Sequence, residues 1–202
     1  MLLIQQSNWV DIPYVTSMGI AVRAVAPGLE DRVLQVGSAL VLKIDGGRIL
    51  RLLDLPDLIT ETGPVIHRFI AWLPGPRFYL VNIPGIHVFT TLLIDARDGK
   101  VADIELPPLM SPNGEIGLIW MLNFLDGNVG PTLIDFRHHP PGQHFVGEPN
   151  CEKRDKPYLL RPTAVWQNDQ TVIFEGTSGM PDQDRNAKQV LRVVDGKGQW
   201  QC

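Results

Sequence analysis

The run Ala39-Leu40-Val41-Leu42-Lys43-Ile44, then Asp45-Gly46-Gly47, then Arg48-Ile49-Leu50-Arg51-Leu52-Leu53 decides the fold class. Two alternating strand-like runs flank an Asp-Gly pair. Glycine accepts the positive φ that a tight turn requires, so the segment reads as a β-hairpin. The pattern recurs along the chain. Val88–Ile94 leads through Arg97-Asp98-Gly99 to Lys100–Leu106, and Ile116–Leu125 leads through Asp126-Gly127-Asn128 to Pro131–Phe136. Gln189–Val194 leads through Asp195-Gly196-Lys197-Gly198 to Gln199–Cys202, a closing hairpin expected to bury Trp200 and to be covered on both faces. Gly19–Val25 alternates in the same way, and Asn113-Gly114 and Asn168-Asp169 mark two further turns.

Helical signals are few. Leu55–Thr62 has the length for a turn or two of helix, with Pro56 tolerated at its start. Val65–Leu73 fits either period, but Gly63-Pro64 and Pro74-Gly75-Pro76 on its flanks favour a strand. The 19 glycines and 17 prolines penalise long helices and favour many turns. The expectation is a single all-β domain over 1–202, with a long Pro- and His-rich surface loop at about 137–157.

Charge and hydropathy exclude several classes. A net charge of -4 lacks the basic footprint that nucleic acid requires. No segment approaches the roughly 20 consecutive apolar residues of a membrane-spanning helix. The N-terminal Met1-Leu2-Leu3-Ile4-Gln5-Gln6 has no basic region and a short apolar run, which points to the cytoplasm. A trimmed signal together with a Cys151–Cys202 disulfide would point instead to the periplasm or to secretion.

A loose repeat runs through Ile44-Asp45, Ile94-Asp95, Ile134-Asp135 and Val194-Asp195, at spacings of 50, 40 and 60 residues. Ser111-Pro112-Asn113-Gly114-Glu115, followed by Ile116–Trp120, resembles the Ser-Pro-Asp-Gly turn that opens a strand in WD40-like propeller repeats. Val165–Phe174 resembles the same turn without its proline, and Leu92–Val101 resembles a later strand and turn of such a blade. The resemblance covers about half the chain and implies a fold, not an activity. It favours a small or irregular propeller-like array of antiparallel hairpins. The uneven spacing keeps a two-sheet sandwich as the alternative.

Candidate chemistry is sparse. His138, His139 and His144 share the Pro-rich stretch with Asp135, Glu148 and Cys151, but their spacing fits no zinc signature. Asp182, Asp184 and Asn186 resemble the opening of a calcium loop, yet Ala187 and Val193 occupy the glycine and glutamate positions. Ser178 lacks the nucleophile-elbow glycine two residues beyond it. His67 and His87 read as structural histidines, and the tryptophans at 9, 72, 120, 166 and 200 as core.

No catalytic, cofactor-binding or metal-binding residue is therefore assigned, and no cofactor is expected. The leading expectation is a non-enzymatic binding or protein-interaction protein, an inhibitor or immunity-type partner being one subtype. Its partner would be another protein, not nucleic acid or membrane. The alternatives are a metal-dependent hydrolase using the 135–151 loop and a structural subunit of a larger assembly.

Overall fold

In the computed structural model, the hairpin at Asp45 forms where the alternation places it. β4 (Ala39–Ile44) and β5 (Arg48–Leu53) pair antiparallel from Ala39↔Leu53 to Ile44↔Arg48, across a single 3-10 turn at Asp45–Gly47. Gly46 and Gly47 both carry positive φ there, 73° and 76°. The structure describes residues 13–15, 21–24, 28–60, 63–84, 89–104, 106–123, 128–147, 159–178 and 186–201.

The protein is all-β, and every sheet is an antiparallel meander whose neighbours in space are neighbours in sequence. The chain divides into two compact units, residues 1–107 and 108–202. In the first, β1 (Pro13–Val15), β2 (Ala21–Ala24), β3 (Val33–Val36), β4 and β5 form one sheet. A small hairpin follows, β6 (Leu55–Thr60) with β7 (Gly63–Val65). Then comes a four-stranded sheet of β8 (Arg68–Leu73), β9 (Phe78–Pro84), β10 (Phe89–Asp95) and β11 (Val101–Ile104). In the second unit, β12 (Leu109–Met110), β13 (Ile116–Asn123), β14 (Asn128–Asp135) and β15 (Gly142–Phe145) form one sheet. β16 (Leu159–Asn168), β17 (Thr171–Ser178), β18 (Asn186–Val194) and β19 (Lys197–Gln201) form the other. None of these sheets closes into a barrel, and among the described residues no helix is long and apolar enough to cross a membrane.

Each unit is held by a core between its two larger sheets. Val33, Leu40, Leu42 and Ile44 meet Phe69, Tyr79, Val81, Leu92 and Ile94 in the first. Ile116, Leu118 and Leu133 meet Val172, Phe174, Leu191 and Val193 in the second. The period of two in β4 and β18 thus delivers one apolar row to each core. β9 and β10 are buried on both faces, since Phe78, Leu80 and Leu93 are as enclosed as Tyr79 and Ile94.

Three local expectations change. Leu55–Thr60 is strand β6, not helix: it finds a ladder partner in Gly63–Val65, and pairing outweighs a weak helical preference. Within the 137–157 stretch, Gly142–Phe145 forms β15, because β14 offers an open edge from Thr132 to Asp135. The closing strand β18 is enclosed on one face, while on the other Val190 is half-buried and the end of the strand is open. Gln189, Leu191 and Val193 are buried, whereas Arg192 and Val194 are exposed.

Candidate functional site

The recurring apolar-Asp pairs occupy one structural position. Asp45, Asp95, Asp135 and Asp195 each stand at the C-terminal end of the penultimate strand of a sheet, β4, β10, β14 and β18. In each sheet a backbone N–H from that strand end donates to a carbonyl in the turn before its neighbour. The bonds are Lys43 to Arg32, Ala96 to Arg77, Phe136 to Glu115 and Val193 to Gln170, all at 2.8–2.9 Å. The β6–β7 hairpin is inserted between the first two copies, whereas the longest interval, Asp135 to Asp195, holds β15 and the longer strands β16, β17 and β18.

Two of these aspartates are buried and clasped by the arginine two residues on. Asp95 Oδ1 accepts from Arg97 N and Nε at 2.7 and 2.9 Å, and Oδ2 from Nη2 at 2.7 Å. Asp135 repeats this with Arg137, at 3.0, 2.9 and 2.6 Å. The Arg137 guanidinium holds the Asp135 carboxyl below its usual range, against an opposing push from burial. Asp45 instead takes Nη2 of Arg77, at 2.6 Å, from the β8–β9 turn. The paired Asp-x-Arg spacing was present in the sequence as Asp95-Ala96-Arg97 and Asp135-Phe136-Arg137. It is the signal that would have exposed these clasps.

The turn resembling Ser-Pro-Asp-Gly joins the first strand of its sheet, β12, to the second, β13. Ser111 is buried, its hydroxyl donating to Asn113 Oδ1 at 2.8 Å and accepting from Ile116 N at 3.0 Å. Asn113 N donates to Asp169 Oδ1 at 2.8 Å. Asn168 and Asp169 lie in the corresponding first turn of the last sheet, between β16 and β17.

The candidate ligands are dispersed. His138 is exposed in the turn after β14, its Nε2 3.7 Å from Asp135 Oδ2. His139 is exposed in the same turn, while His144 sits on β15 opposite Leu133. Asn186 opens β18 opposite Thr177, and Ser178 ends β17 opposite Leu159. Glu148, Cys151, Asp182, Asp184, His87, Trp9 and Cys202 lie outside the described residues, and the Cys151–Cys202 bridge with them. His67 ties a connection together, its backbone N donating to Asp54 Oδ1 at 2.8 Å and its Nδ1 lying 3.2 Å from the same oxygen.

A different surface stands out. In the first sheet, Ala39, Val41 and Lys43 share the outer face with their partners Leu53, Arg51 and Ile49. Leu34 and Val36 of β3 join them. Ile49 and Leu53 are 59% and 58% exposed, Leu34, Val36 and Val41 are half-buried, and Ala39 is buried. The face is thus apolar, with Lys43 and Arg51 as its charges and no carboxylate among these residues. Nothing in the sequence pattern distinguished it from the buried face, since β5 is apolar on both.

Comparison of the chain with known protein families, curated proteins and solved structures finds no match in any of the three.

Proposed function

We propose that the chain is a non-enzymatic protein-interaction module assembled from propeller-type blades. The blade reading rests on sequential meanders of four or five strands and on an aspartate at the same strand end in each larger sheet. The Ser-Pro-Asp-Gly-like turn, lying between first and second strands, supports it further.

The observation that carries the interaction reading is the outer face of the first sheet. A contiguous exposed apolar patch marks a contact surface more often than scattered side chains do. Here exposed Ile49 and Leu53 flank Arg51 on β5, beside half-buried Val41 and exposed Lys43 on β4. The clasped carboxylates fix turns: Asp95 and Asp135 each accept hydrogen bonds from the backbone and guanidinium of the arginine two residues on.

The experiment is capture from the host with the tagged chain, followed by reconstitution of the captured protein with the purified chain. The expected result is a complex of fixed stoichiometry on gel filtration. Stoichiometric zinc that is lost on combined alanine substitution of His138, His139 and His144, accompanied by hydrolytic activity, would overturn the reading in favour of an enzyme.

A further inference from the structure

The open edge of β5 deepens that reading and rests on it. β5 is the last strand of its sheet, so among the described residues one side of its backbone has no ladder partner. Antiparallel pairing alternates, and Asp54 N donates to Ser38 O. The even-numbered residues 48, 50 and 52 therefore turn their backbone groups towards β4. Ile49, Arg51 and Leu53 direct theirs to the open edge. The same three residues present their side chains on the exposed outer face, next to Lys43.

We infer that this edge accepts an extended, acidic and apolar segment of a protein partner as an additional β-strand. Main-chain hydrogen bonds at 49, 51 and 53 would supply the docking, and alternate side chains the selectivity. An acidic residue opposite Arg51, flanked two positions away on each side by apolar residues, matches the Ile49-Arg51-Leu53 row. The charge argument also selects against a second copy of the chain. An antiparallel β5–β5 pair centred on position 51 sets Arg51 against Arg51, a destabilising like-charge pairing. Arg51 thus protects the edge from self-association, as charges on edge strands commonly do. The surface is cationic on a chain whose net charge is -4, so the local field, not the overall one, sets the preference.

The probe is a fluorescein-labelled, end-blocked heptapeptide, Thr-Val-Thr-Glu-Thr-Val-Thr, with a second in which the central Glu is Lys. Anisotropy titration of the full chain at low salt should show saturable binding of the Glu peptide, at least tenfold tighter than the Lys peptide. Arg51→Glu should reverse that order while leaving the unfolding midpoint unchanged. Leu53→Pro, which removes an outward N–H without touching the β4 ladder, should weaken the Glu peptide at least fivefold. Equal binding of both peptides, or binding indifferent to Arg51→Glu, overturns the inference. So does a concentration-dependent dimer of the parent chain that Leu53→Pro abolishes, which would make a second copy the occupant. If a captured host partner still binds the Arg51→Glu chain unchanged, this edge is refuted while the interaction reading stands.

Discussion

Gly196 lies against Asp135. A Cβ built at position 196 would fall 2.5 Å from Asp135 Oδ2 and 3.1 Å from Arg137 Nη2. The turn closing the last sheet of the second unit is therefore seated on the ion pair of the sheet before it. Gly196 also carries φ +75°, next to Asp195 at +50°, so Asp195-Gly196 is a two-residue turn with both φ values positive.

Gly196→Ala should accordingly be costly on two counts, a left-handed backbone and a clash with a held carboxylate. The expected loss is about 2–4 kcal/mol of unfolding free energy. Urea denaturation of the variant beside the parent measures it. A loss below about 0.5 kcal/mol would mean that the Asp135 side chain moves aside freely.

The Asp135–Arg137 clasp predicts a pH dependence. The folded-state pKa of Asp135 lies below its unfolded value, with Arg137 as the main cause. Its stabilisation is therefore complete above the unfolded carboxylate pKa and is lost as pH falls through the folded one. Arg137→Ala should be less stable than the parent near neutrality, and the gap should narrow steadily below about pH 4. A gap of the same size at about pH 3 and about pH 7 would assign the loss to packing of the arginine stem instead.

Tyr79 is fully buried, and its hydroxyl donates to the Lys43 carbonyl at 2.5 Å, linking the two larger sheets of the first unit. Its ring packs on Trp72 with centroids 4.7 Å apart, and the Arg32 guanidinium lies 5.2 Å from the Trp72 centroid. Tyr79→Phe keeps the ring contacts and leaves the carbonyl without that donor. About 1–3 kcal/mol should be lost, read as a lower denaturation midpoint with an unchanged denaturant slope.

Removing everything after Gly196 deletes β19, the ladder partner of β18, and with it Trp200. That half-buried side chain packs against Phe174 at 5.3 Å and donates from Nε1 to Gly147 O at 3.0 Å. The truncated chain should lose about 3–5 kcal/mol, the range for removing a large packed aromatic. An unchanged denaturation midpoint would show that the last strand contributes nothing.

Much of this architecture is written in local sequence. The Ala39–Ile44 and Arg48–Leu53 strands follow from alternation around glycines able to adopt positive φ, and both bounds agree with the structure. The turns at Asn113-Gly114 and Asn168-Asp169 follow from side chains that bond their own backbone two residues on, as Asn113 Oδ1 does with Glu115 N and Asn168 Oδ1 with Gln170 N. The single aspartates of the repeat were visible too, but not their common place at a strand end, because strand lengths and the inserted β6–β7 hairpin differ from one interval to the next.

Tertiary structure alone decided which apolar rows are buried. In β5, half-buried Leu50 and Leu52 pack on the core, while Ile49 and Leu53 face outward, although all four are equally hydrophobic. In β18, Leu191 and Val193 are enclosed and Val194 is not. β6 became a strand only because β7 was there to pair with it. The reason is common to all three. Backbone conformation is set by residues a few positions apart, whereas burial and ladder partners depend on segments tens of residues away in sequence.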